Sequence, residues 1–315
     1  LSFPRFCGRT LSTNIWSRPF RNISAASADT VAAAIRQASA SLGPRLLTAI
    51  ILAISAVAAV YAGGITFLAV VTGLTAIVTF EWIRMCCPRR SPGTLLLAIA
   101  TVALSGAVFA VWDAEIALVV GAGGAVTVGA VARFERNSPL WTAAGVFIFI
   151  LSMVSIIWLR AEEALGLATV YWLFVVVWAT DSGAYIFGKL IGGASLAPRI
   201  SPKKTWAGAI GGLATGALMG VVLTLLLQAV GLLGSSVELL LIALASALLS
   251  LCSQAGDLAE SGVKRYFGVK DSGTWLPGHG GALDRLDSLI LVAPILAFAV
   301  LLAGGSAALL TWTGN

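Results

Sequence analysis

Nine charged side chains fall between residues 257 and 287: Asp257, Glu260, Lys264, Arg265, Lys270, Asp271, Asp284, Arg285 and Asp287. Acids outnumber bases by one, so the stretch has a net charge of −1. A segment that only gripped anionic lipid would be basic. A balanced one suits chemistry in which carboxylates hold Mg²⁺ and bases hold phosphate oxygens. Carboxylates, with one histidine in the whole chain, favour a hard cation over zinc. That histidine, His279, reads as a hydrogen-bond donor or turn residue rather than a metal ligand. It sits in "LPGHGG", whose proline and three glycines let backbone N–H groups approach a ligand closely. Asp284 and Asp287 are three apart, on one face of a helix.

A second polar stretch, "GGASLAPRISPKKTWAG" at 192–208, lies upstream. Pro198 and Pro202 exclude a continuous helix there. Lys203, Lys204 and Thr205 then meet the start of an apolar run, and a helix N-terminus beside two ammonium groups and a hydroxyl suits a phosphate. The same residues suit anionic headgroups equally well. Asp181 follows the apolar "YWLFVVVWAT". It is either a helix-end acid reaching the headgroups or an acid lining a polar site. These residues together suggest phosphoryl or nucleotidyl transfer on a lipid at the membrane surface, with the direction open.

The elements that must position this chemistry are membrane helices. Of 315 residues, 58% are hydrophobic and 11% charged, against about 25% charged in soluble domains. Mean hydropathy is +0.96. A window of about 19 residues finds nine apolar runs, near 46–63, 65–83, 94–112, 115–132, 140–159, 167–187, 207–229, 237–255 and 289–311. The expected fold class is an all-α integral membrane protein, a polytopic helical bundle of about nine transmembrane helices with a cytoplasmic N-terminus. Under that alternation 19 of 20 basic residues lie inside and only Arg160 outside, as the positive-inside rule requires. The net charge of +6 therefore needs no nucleic acid. All five lysines lie in two inside loops, 188–206 and 256–288, a hint that these loops share a task.

Gly208, Gly212, Gly216 and Gly220 form one helix face that admits close approach of another helix, in the same chain or in a second subunit. Cys7, Cys86, Cys87 and Cys252 fit neither a zinc pattern nor a disulfide scaffold. Residues 1–45 are polar and Arg-bearing, with Asp29 their only acid. A transit peptide has that composition, but a cytoplasmic tail without regular structure is the preferred expectation, and no apolar core of a cleaved signal peptide follows the early arginines. Residues 46–312 form the expected transmembrane domain.

"SGVKRYFGVKDSGTWLPGHGGALDRLD", Ser261 to Asp287, resembles the signature of the phosphatidate cytidylyltransferases, the CDP-diacylglycerol synthases. "SPKKT" (201–205) and "DSGAY" (181–185) resemble the family's upstream motifs in the same order. The resemblance spans roughly residues 45 to 312. It implies a nucleotidyltransferase of phospholipid biosynthesis that joins CTP and phosphatidic acid, giving CDP-diacylglycerol and pyrophosphate. It implies Mg²⁺, with room for a second cation. Asp257 and Asp284 map to the metal-binding acids, with Asp181 a further candidate. Lys264, Arg265 and Asp287 complete the expected catalytic set. Ser201, Lys203, Lys204, Thr205, Lys270, His279 and Arg285 are expected on substrate phosphates; Lys270 and Asp271 could instead pair with each other. Family members often carry Glu after "SPKKTW"; here Ala207 stands in its place, so any role of that Glu is not transferred.

The expected partners are CTP, phosphatidic acid, membrane lipids and a second copy of the chain as a homodimer, with no nucleic acid. The expected location is a bacterial cytoplasmic membrane, with the site facing the cytoplasm. A CTP-dependent polyprenol or phytol kinase would need a base for its alcohol, and the full signature argues against it. A transporter would place charges deep inside several spans or repeat its halves. Here the charges crowd one side and no halves repeat.

Overall fold

The computed structural model describes residues 50–89, 91–162, 165–234, 237–273 and 280–304. The expected tail, 1–45, lies outside them, as does His279. The apolar runs become nine helices among the described residues. These are α1 (Ile50–Ala62), α2 (Gly64–Cys86), α3 (Pro92–Val111), α4 (Ala114–Phe134), α5 (Pro139–Ala161), α6 (Gly166–Leu190), α7 (Trp206–Ala229), α8 (Leu239–Tyr266) and α9 (Leu283–Ala303). Eight are long and apolar enough to cross a membrane, and α1, described from Ile50, is shorter. Local chemistry sets their limits. Pro92 and Pro139 open α3 and α5, where a missing N–H costs nothing. Asp113 caps α4 by accepting the Ile116 N–H at 2.9 Å. Gly63, at φ +59°, makes the tight α1–α2 turn.

One feature differs from the sequence expectation. The proline-bearing stretch after α6 is a short antiparallel hairpin, β1 (Ser195–Ala197) and β2 (Ser201–Thr205), so the all-α expectation has one small exception. The prolines exclude helix but permit extended backbone, and Pro202 sits in a strand with no further neighbour to need its N–H. As the helical spacing of Asp257, Glu260 and Lys264 and of Asp284 and Asp287 leads one to expect, α8 continues past residue 255 to Tyr266 and α9 begins at Leu283. Both helices thus carry their charged residues on rigid backbone.

The core forms around α5 and α6, where Ile150, Met153, Trp172 and Leu173 are buried. The glycine face of α7 packs inside the chain. A Cβ on Gly212 would stand 2.8 Å from the Thr180 carbonyl of α6, and one on Gly220 would meet Ser246 of α8. Polar contacts between helices sit in the same seam: Thr180 Oγ1 donates to Ser250 Oγ (2.9 Å) and Trp172 Nε1 to Ser246 Oγ (3.1 Å).

The connections sort to two ends. Arg160, closing α5, donates to the carbonyls of Val60 (2.6 Å) and Tyr61 (3.4 Å) at the end of α1. At the other end, Glu135 beyond α4 accepts the Gly93 and Thr94 N–H groups at the start of α3. There too Trp141 of α5 packs on Tyr266 and Phe267 beyond α8 (centroids 5.1 and 5.5 Å), and Trp82 of α2 on Phe267 (6.3 Å). The hairpin and the α8–α9 connection lie at this second end.

Candidate active site

Thr205 leads from β2 into α7. Its backbone is extended, and its hydroxyl accepts the Gly208 N–H at 3.1 Å. This cap fixes where β2 stops and so where Lys203 and Lys204 stand. From that point a cleft of about 510 Å³ opens between the hairpin and the ends of α6, α8 and α9. Four acids line it, Asp181, Asp257, Asp284 and Asp287, and four bases, Lys189, Lys203, Lys204 and Arg285. Three motifs far apart in sequence meet here.

Three ion pairs, made by two lysines, organise the charge. Lys204 Nζ lies 2.6 Å from Asp257, tying β2 to α8. Lys264 Nζ lies between two carboxylates, 2.6 Å from Glu260 and 2.7 Å from Asp284, tying α8 to α9. The Lys264, Glu260 and Asp284 side chains are only 13%, 9% and 11% exposed, so this group is poorly screened. Asp284 also accepts the Ser272 N–H (3.1 Å) and the Gly281 N–H (2.9 Å). Hydrogen-bonded contacts within about 3 Å in such surroundings hold the side chains in a fixed orientation.

Other expected residues fall elsewhere. Arg265 turns to the hairpin, where Nε donates to the Ile200 carbonyl at 3.3 Å, and its NH1 group donates to Val269. Ser201 begins β2 and does not line the cleft. Lys270 and Asp271 are exposed outside it and form no ion pair with each other. The donor chemistry of the cleft fits Mg²⁺. Its carboxylates are hard oxygen donors, and among the described residues no group of three or more metal-binding side chains forms a complete cage. Mg²⁺ is usually held by one or two carboxylates together with substrate phosphates. Asp257 and Asp284 can serve that way for an ion arriving with a polyphosphate.

The model of the cytidylyltransferase family matches residues 43–303. The chain belongs to the cytidylyltransferase family. Among its relatives, the phosphatidate cytidylyltransferase of Brucella suis is 39% identical over 259 residues, covering 81% of this chain and 92% of that protein. The phosphatidate cytidylyltransferase of Staphylococcus haemolyticus is 45% identical over 143 residues, 45% of this chain and 53% of that protein. That of Staphylococcus epidermidis is 49% identical over 131 residues, 42% of this chain and 48% of that protein.

In this cytidylyltransferase the sequence reading gave no role to three residues, although it counted one of them, Glu260, in the charged set. Gln254 lines the cleft and donates to the Ala209 carbonyl at 3.2 Å, holding α8 to α7. Glu260 shares Lys264 with Asp284. Glu81 of α2 is 1% exposed and accepts hydrogen bonds from Ser272, Ala282 and Leu283. The available signals were Glu260 four residues before Lys264, and for Glu81 a single acid inside an apolar run.

Proposed function

We infer that the chain transfers the CMP group of CTP to phosphatidic acid, giving CDP-diacylglycerol and pyrophosphate. The single observation that carries this reading is the convergence of "DSGAY", "SPKKT" and the Ser261–Asp287 motif on one charge-balanced cleft. The cleft lies at an end of the helical bundle, where a lipid headgroup and a water-soluble nucleotide can meet.

The reaction is an in-line displacement. An oxygen of the phosphatidate monoester bonds to the α-phosphorus of CTP while the bond from that phosphorus to the bridging oxygen breaks. Pyrophosphate leaves with the electron pair. The second ionisation of a phosphate monoester lies near pH 6, so the attacking oxygen is already anionic at neutral pH and needs no strong base. Catalysis is then positioning and charge neutralisation. Lys203, Lys204 and Arg285 contact phosphate oxygens. Lys264 holds Asp284 in place and reaches the same phosphates. Asp257 and Asp284 are the Mg²⁺ ligands, and Asp181 and Asp287 support or orient them. Mg²⁺ bound there neutralises triphosphate charge and polarises the phosphoryl oxygens. The Thr205 hydroxyl, already accepting from Gly208, can still donate its own hydrogen to a phosphate.

The partition of basic residues supports a cytoplasmic-facing site, and the bacterial relatives support a bacterial cytoplasmic membrane. A homodimer would use a surface other than the α7 glycine face, which α6 and α8 already cover.

The test is product formation by detergent-purified protein given phosphatidic acid and labelled CTP, with and without Mg²⁺, beside Asp284→Asn. Lipid-soluble cytidine label that needs the metal and vanishes in the folded variant is the expected result. Folded wild-type protein that makes no lipid-linked cytidine would refute the reading.

A further inference from the structure

The cleft is built from the C-terminal half of the chain, yet one carboxylate from the N-terminal half reaches the backbone beside Asp284. Glu81 on α2 accepts the Ala282 N–H at Oε1 (2.9 Å), and the Leu283 N–H (2.8 Å) and Ser272 hydroxyl (3.0 Å) at Oε2. Ala282 and Leu283 are the cap and first residue of α9, whose leading N–H groups have no partner within the helix. A buried anion there also meets the positive end of the helix dipole. The fit is close. A Cβ on Gly273 would stand 2.4 Å from Glu81 Oε1, and one on Gly281 would stand 2.5 Å from Oε2.

The same short segments hold Asp284. Ser272 gives its hydroxyl to Glu81 and its backbone N–H to Asp284. Gly281 gives its N–H to Asp284, and the next residue gives its own to Glu81. Two carboxylates thus divide the donors of one backbone stretch, one from below and one from the cleft. We propose that Glu81 is a positioning residue for catalysis: it pins both flanks of the 272–283 connection so that Asp284 meets the cation and phosphates in register. This rests on the reading of Asp284 given above. Glu81 touches no substrate. It acts through Ser272, Ala282 and Leu283, which flank the donors of Asp284, and it makes the α2 helix part of the catalytic apparatus.

The test compares Glu81→Gln, Glu81→Asp, Ser272→Ala and Asp284→Asn in purified protein. Gln keeps the shape but turns an N–H₂ toward a backbone N–H, so one acceptor is lost and one contact becomes repulsive. Expected for Glu81→Gln is a fall in kcat of at least tenfold and a higher Mg²⁺ concentration for half-maximal rate. The KM for phosphatidic acid should stay within about threefold. Glu81→Asp should recover part of kcat, and Ser272→Ala should lose severalfold at an unchanged Tm. Independently of activity, the amides of Ala282 and Leu283 should exchange hydrogen at least tenfold faster in Glu81→Gln, with those of α5 unchanged. Wild-type kcat and exchange in Glu81→Gln, with Asp284→Asn inactive, would overturn the positioning role alone. Full turnover in Asp284→Asn would overturn the reading of Asp284 on which it rests. If Glu81→Gln does not fold, Ser272→Ala with wild-type kcat and Mg²⁺ dependence would overturn the proposal by itself.

Discussion

Replacing Lys264 by Met separates the charge of the site from its shape. One ammonium lies 2.6 Å from Glu260 and 2.7 Å from Asp284, in a group whose side chains are about one-tenth exposed. Met retains most of the apolar stem and removes the charge, leaving two carboxylates facing each other. Removing one partner of a buried pair costs about 3–5 kcal/mol, because a desolvated charge is left uncompensated. The residual exposure places this case near the lower figure, about 3 kcal/mol. At about 2–4 °C per kcal/mol for a chain of this size, the expected fall in Tm is roughly 6–12 °C. The assay is thermal unfolding in detergent, with turnover measured on the same preparations. Adding Glu260→Gln removes one acid of nearly equal shape, so the double variant should recover at least half of the lost Tm. It should recover no turnover, since Lys264 itself is proposed to serve the phosphates. An unchanged Tm in Lys264→Met would show that the ammonium does not bridge the two acids in the folded protein. A double variant as unstable as the single one would assign the cost to lost packing instead.

The glycine face offers a second contrast. A Cβ at Gly212 would lie 2.8 Å from the Thr180 carbonyl and 3.1 Å from Ala184 Cβ, whereas one at Gly123 meets nothing within 4 Å. Gly212→Ala should lose about 1–3 kcal/mol to overpacking, partly offset by about 1 kcal/mol of helix propensity, while Gly123→Ala keeps only the gain. Equal Tm values would mean that α6 does not press on α7. At the far end, Arg160→Leu removes the charged donor that holds the Val60 and Tyr61 carbonyls. A loss of about 1.5–3 kcal/mol in thermal unfolding, with kcat unchanged, is expected, because the site lies at the opposite end of the helices.

The spans and the motif residues were legible because both are local. A run of apolar residues must become a membrane helix whatever surrounds it, since lipid offers its backbone no other hydrogen bonds. Asp257 and Asp284 announced themselves by their company in sequence. The stripe from Gly208 to Gly220 showed its spacing but not its partner, which depends on Thr180 and Ala184 of another helix also being small. The hairpin was missed because two prolines specify only what the chain cannot do. Glu81 was missed for a physical reason too. Its partners lie 191 to 202 residues away, and nothing local distinguishes an acid beneath a catalytic connection from one near a helix end.

The two lysine–aspartate pairs also explain how a cleft so rich in charge persists without substrate. Lys204 with Asp257 and Lys264 with Asp284 each join two different elements, so the groups proposed to bind metal and phosphate also stitch β2, α8 and α9 together. Unpaired, four carboxylates in one cleft would repel one another. Paired with lysines, Asp257 and Asp284 are held in place. If CTP bound there with Mg²⁺, as proposed, Asp257 and Asp284 would turn to the cation and their lysines to the phosphates. Such an exchange suits a cleft lined by four acids and four bases.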